Sequence, residues 1–74
     1  MIMEIEKQPV SSSNIEALGY DEPTQTLRVW FSTGNIYDYA NVPQIEFEQL
    51  KFAPSIGAYF NRNIKGAYPY VKVG

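Results

Sequence analysis

Histidine and cysteine are both missing from the 74 residues, and the two absences remove much chemistry at once. Without cysteine there is no disulfide, no thiolate nucleophile and no sulfur ligand for a metal; without histidine the usual general base near neutral pH is gone. No Gly-rich phosphate loop, paired-cysteine zinc pattern or acidic calcium loop is present. Nor is there a run of about 18 apolar residues to cross a membrane, and the opening MIMEIEKQ lacks the basic-then-apolar pattern of a signal peptide. These absences together read as a soluble, cytoplasmic, non-enzymatic chain with no cofactor, no metal and no membrane association.

What is present is a small apolar inventory and an uneven distribution of charge. A single domain of this length has no staple, so a hydrophobic core must hold it. The net charge of −2 divides sharply: residues 1–48 hold all eight acids against Lys7 and Arg28, whereas residues 49–74 hold Lys51, Arg62, Lys65 and Lys72 and no acid. Asymmetry of this kind points to an anionic partner. The plainer reading places the cations at helix C-termini, where the helix dipole favours them.

Residues 1–11 read as a loosely ordered lead-in, with MIMEI a candidate edge strand, and residues 12–74 as one domain. NIEALGYD (14–21) is a first strand, stopped at Asp21-Glu22-Pro23. In TLRVWFS (26–32), Leu27, Val29 and Phe31 alternate with Arg28, Trp30 and Ser32, the period of a half-buried antiparallel strand. NIYDYANV (35–42) returns after a three-residue loop, Ser32-Thr33-Gly34, with glycine at the left-handed position. That loop pairs Trp30 with Ile36, Val29 with Tyr37, Arg28 with Asp38 and Leu27 with Tyr39. Leu27, Val29, Phe31, Tyr37 and Tyr39 then share one face, and the charge pair shares the other with Trp30 and Ile36.

Pro43 opens a helix in which Phe47, Leu50 and Ala53 fall on one side, flanked by Ile45 and Phe52, and Pro54 ends it. Ser55 caps a second helix carrying Ile56, Tyr59, Phe60 and Ile64, with its stop at Gly66. AYPYVKVG is extended, because the residue before Pro69 avoids helical angles. The fold class is α+β: a three-stranded antiparallel β-meander followed by two short α-helices packed on one sheet face.

Two surfaces are candidates for binding. YFNRNIKGAYPYVKV carries Tyr59, Asn61, Arg62, Lys65, Tyr68, Tyr70 and Lys72, and rings interleaved with cations and amides suit single-stranded RNA or a small nucleotide. Arg62 and Lys65 would meet phosphate while Tyr59, Tyr68 or Tyr70 stack on a base. Tyr37 and Tyr39 are read as core residues, the alternative being a stacking platform. The competing surface is the sheet face bearing Arg28, Trp30 and Ile36, which would take a protein partner or a second copy of the chain.

The chain resembles the KTSC domain family. The resemblance rests on SSNI (12–15) with GYD (19–21), LRVWF (27–31), Gly34 with YDY (37–39), VP (42–43), Leu50, Ala53, SIGAYFNRNI (55–64) and YP (68–69). This small domain is named for its occurrence at the C-terminus of some lysyl-tRNA synthetases and is found also as a stand-alone bacterial or phage protein. The resemblance implies no enzymatic activity, and it suggests RNA binding through the fusion to a synthetase.

Overall fold

Alternation of apolar and polar side chains drives the middle of the chain into strands, and the computed structural model, which describes residues 5–74, contains five. They are β1 (Gln8–Pro9), β2 (Ile15–Asp21), β3 (Thr26–Phe31), β4 (Ile36–Tyr39) and β5 (Tyr70–Lys72), joined in that order into one antiparallel sheet. The expected three-stranded meander is therefore only the centre of a wider sheet. Neither added strand has the length from which alternation can be read; each forms because the meander offers an edge of unpaired N–H and C=O groups. Pro9 cannot donate to a ladder, which suits β1 to an edge position. Pro69 introduces β5, and its carbonyl accepts the Ala40 N–H at 2.8 Å. Of the proposed edge strand MIMEI, the first four residues lie outside those described.

The β3–β4 hairpin has the register that its three-residue loop requires: Leu27 opposite Tyr39, Arg28 opposite Asp38, Val29 opposite Tyr37 and Trp30 opposite Ile36. Gly34 takes φ +99°, and its N–H donates to the Phe31 carbonyl at 2.9 Å. Between β2 and β3 the register shifts at Glu16, so that Ile15 opposes Phe31 while Ala17 opposes Trp30. This bulge lets Ile15 and Leu18 enter the same core despite their odd spacing.

One face of the sheet is covered by the helices. Helix α1 (Gln44–Lys51) buries Phe47 and Leu50, with Pro43 just outside it as the capping residue rather than inside as its first residue. Ile45 and Phe52 point outward. Ser55 caps α2 (Ile56–Tyr59), its Oγ accepting the Ala58 N–H at 3.3 Å, and the chain passes directly into a π-helical segment, Phe60–Ile64. Ile56, Phe60 and Ile64 close over Leu18, Leu27, Val29 and Tyr39. Burying aliphatic side chains of this size contributes about 1.5–3 kcal/mol each, which is where the stability of an unstapled domain must come from.

The other face is partly covered by the segment that precedes β1. A Cβ at Gly19 would collide with Ile5 Cγ2 and lie 2.6 Å from the Glu6 carbonyl oxygen, so only glycine lets the chain cross β2 there. Lys7 Nζ sits 5.8 Å from the centre of the Trp30 ring and 2.9 Å from Glu16.

Candidate functional site

Four aromatic residues from three strands make the floor of a cleft. Phe31 packs edge-on to Tyr37, with ring centres 5.5 Å apart, and Tyr70 of β5 lies flat against Tyr37 at 5.4 Å and 9°. Tyr39 lies beside both tyrosines, its ring centre 5.6 Å from that of Tyr70. Register explains the grouping: Tyr39 opposes Tyr70 across the β4–β5 ladder, and Tyr37 opposes Lys72, so these side chains share a face. Tyr70 is 59% exposed, whereas Tyr39 is buried, its hydroxyl pushed up to about 12 by burial and by the neighbouring phenols of Tyr37 and Tyr70. At neutral pH the Tyr39 hydroxyl is uncharged.

The π-helical segment forms one wall. Phe60 meets both Phe31 and Tyr39 edge-on at 5.5 Å, and the wide turn is closed by the Lys65 N–H donating to the Phe60 carbonyl at 2.9 Å. Helical turns of this width are rare and gather at functional positions. Here the turn brings Asn61, Lys65 and Gly66 to the cleft. The opposite rim is Asn14, Thr33 and Asn35. Asn14 is set by its carbonyl, which accepts the Ser32 N–H at 2.9 Å, and by its N–H, which donates to Ser12 Oγ at 3.4 Å. Asn35 is set by the hairpin, its carbonyl accepting the Phe31 N–H at 2.9 Å and its amide donating to Thr33 Oγ1 at 3.3 Å. The cleft encloses about 550 Å³, and among the described residues Lys65 is the only charged one lining it.

Of the residues singled out in the closing segment, Asn61, Lys65 and Tyr70 line this cleft. Lys72 stands on its face of β5, and Arg62 is exposed on the adjoining turn. Arg62, Lys65 and Lys72 form no ion pair with any of the described residues. Tyr59 and Tyr68 do not join them. Both hydroxyls donate to Glu46 of α1, Tyr68 at 3.1 Å, and the side-chain oxygen of Gln49 lies 2.8 Å from the Tyr59 hydroxyl, sharing its one proton. The bond to Glu46, more than burial, pushes the Tyr59 hydroxyl up to about 12. A carboxylate within reach turns these two phenols into a clasp that ties α1 to the end of α2 and to the chain that follows it. Phe31, Phe60 and the three rim residues Asn14, Thr33 and Asn35 were absent from the sequence-based set; Tyr37 and Tyr39 entered it as core residues with a stacking platform as the alternative, and Tyr39 is buried while Tyr37 is half-buried, both lining the cleft.

On the far face, Arg28 is engaged with Asp38 in a two-pronged pair, Nε to Oδ1 at 2.7 Å and the terminal nitrogen to Oδ2 at 2.8 Å. Trp30 lies beside Lys7, and Ile36 touches the chain at Gly74. Those three residues are therefore each in contact within the chain. Among the described residues no group of three carboxylates could hold a metal ion, and no helix is long and apolar enough to cross a membrane.

A small α+β domain with a helix-covered sheet and an aromatic cleft is what these elements define. The family model for the KTSC domain matches residues 11–68, and the chain belongs to that family. It is similar to a crystal structure of a KTSC domain protein from Yersinia pestis, with a TM-score of 0.93 and 35% identity over 96% of this chain and all of that one. A lysine–tRNA ligase of Nostoc sp. strain PCC 7120 is 47% identical over 58 residues, 78% of this chain and 10% of the ligase. A small protein of Tsukamurella paurometabola is 45% identical over 58 residues, covering 78% of this chain and 87% of that protein. The chain thus spans a tenth of the length of the lysine–tRNA ligase it matches, and most of the length of the small relative.

Proposed function

We propose that the domain is a non-enzymatic binding module that takes a base of single-stranded RNA, or of a small phosphate-bearing nucleotide, into the aromatic cleft. One observation carries the reading: the half-buried Tyr37 and exposed Tyr70 rings stand beside amides and Lys65 in a cleft that no carboxylate among the described residues lines. A base gains its stacking energy from such rings whatever its identity, and Asn14, Asn35 and Asn61 offer both donors and acceptors to its edge. Phosphate would meet Lys65, with Arg62 and Lys72 alongside. The recurrence of the segment in enzymes named for tRNA is an association that favours RNA among anionic ligands.

The test is titration of single-stranded RNA oligonucleotides and of mononucleotides at two salt concentrations. Two or three phosphate contacts give a salt slope of about −0.7 per contact and an affinity of order micromolar or weaker. Oligonucleotide binding that weakens with salt and with the Arg62→Ala, Lys65→Ala double substitution is expected if the ligand is RNA; equal binding of mononucleotides would assign the cleft to them. No binding of either at low salt, or binding indifferent to the double substitution, removes the reading.

A further inference from the structure

The sheet has two edges among the described residues, and they differ. Strand β1 is two residues long and contains Pro9, which blunts it against further pairing. Strand β5 has no proline between Tyr70 and Gly74, and its three residues are all exposed. In its ladder with β4, the Ala40 N–H donates to the Pro69 carbonyl at 2.8 Å and the Val73 N–H to the Ile36 carbonyl at 2.7 Å. From Pro69 to Val73 the odd-numbered positions thus turn their backbone groups inward, and Gly74 beyond them also bonds Ile36, whereas Tyr70 and Lys72 direct N–H and C=O away from the sheet.

We propose that this edge pairs with β5 of a second copy of the chain, antiparallel, about a two-fold axis through Val71. The spacing of the free groups selects both the occupant and the register. Centred on Val71, each Tyr70 opposes Lys72 of the partner subunit, and the two exchanged pairs use all four outward-facing residues, making four backbone hydrogen bonds. Centring the axis on Tyr70 or Lys72 uses only half of them. The side chains agree with the backbone. A Tyr70 ring receives Lys72 of the partner subunit on the cleft face, an attraction of cation to ring that occurs twice, and no two cations stand opposite one another. On the other face Val71, 61% exposed, meets its own symmetry mate, and Val73, 47% exposed, extends the apolar strip.

Pairing in this way makes one sheet of ten strands and brings the two clefts to the same side of it. Each cleft then has Lys72 of the partner subunit beside Tyr70. The inference does not depend on what the cleft binds.

Sedimentation of the full chain across the micromolar to millimolar range, with amide exchange on the same samples, tests it. The expected result is a monomer–dimer equilibrium in which the Tyr70 and Lys72 amides gain protection as the dimer forms. Lys72→Pro removes a donor that faces away from β4, so the monomer keeps its fold and circular dichroism while dimerisation weakens by tenfold or more. Val71→Lys provides a second route, because it sets like charges directly opposite at the axis and leaves a monomer. Mixing it with Val71→Asp restores association, which only this register allows. A chain that stays monomeric throughout the range, including one that binds an extended peptide at β5 instead, overturns the proposal. So does a dimer that survives both Lys72→Pro and Val71→Lys.

Discussion

Two pairs of tyrosines have different partners, and chemically identical side chains do different things in them. Tyr59 and Tyr68 commit their hydroxyls to Glu46 and fasten the end of α2 and the chain after it to α1. Tyr37 and Tyr70 stack on one another, and their rings line an open cleft. A phenol beside a carboxylate is held by its oxygen and becomes structural; a phenol among other rings is held by its faces and leaves an edge or a face to offer. What surrounds a tyrosine decides its use, more than its neighbours in sequence.

Tyr39 lies beneath the open pair, and replacing it should have the largest effect. Its ring is buried against Phe60 and touches both cleft tyrosines. Tyr39→Ala is expected to cost about 3–5 kcal/mol in urea unfolding, a large share of the stability of so small a domain. A variant that stays folded and loses only ligand would place Tyr39 with the open pair and break the distinction between core and platform.

Arg28→Ala is next. It leaves the buried Asp38 carboxylate without its two-pronged partner, at a cost of about 2–3 kcal/mol, reduced from the fully buried case because the guanidinium keeps some solvent. Because the pair sits on the face away from the cleft, ligand affinity of the folded variant should be unchanged, which separates lost stability from lost binding.

The core and the hairpin were legible because they follow from local rules. Alternation through Leu27, Val29 and Phe31, the loop at Gly34 and the cap at Ser55 each have one geometric solution, and the structure adopts it. The edges were not legible. Gln8–Pro9 and Tyr70–Lys72 become strands only because β2 and β4 are there to receive them, a long-range condition that no window of sequence contains. The same limit blurred the site. Tyr59, Tyr68 and Tyr70 look equivalent in a linear reading, and it is the position of Glu46 on α1 that removes the first two from the cleft. Asn14 and Asn35, far from the closing segment in sequence, arrive at the cleft through the sheet.

Tyr70→Ala should sharpen the comparison from the other side. The ring is 59% exposed, so little core packing is lost, whereas loss of one stacking partner is worth about 1–3 kcal/mol of ligand binding, roughly five- to 150-fold in affinity. Unfolding and titration measured on the same variant give the answer, and a large fall in stability with affinity intact would make Tyr70 another clasp.

The smallest effect is expected at Tyr59, and its signature is the dependence on pH. Tyr59→Phe removes the hydroxyl bonds to Glu46 and Gln49, a loss of about 1 kcal/mol at neutral pH because both partners remain near water. In the folded chain the hydrogen bond to Glu46 raises the Tyr59 hydroxyl from 10 to about 12. Between those values the unfolded chain gives up its proton first, so stability is complete below pH 10 and falls as pH rises toward 12. Tyr39, raised to about 12 chiefly by burial, adds to the same decline. The wild type should therefore lose stability steeply over this interval. Tyr59→Phe, which starts lower, should lose it less steeply, because Tyr39 and the likewise raised Tyr68 and Tyr20 still contribute but Tyr59 no longer does. Urea midpoints measured at several pH values from neutral to 12 give both slopes, and identical slopes would mean that the Glu46 clasp does not hold in solution.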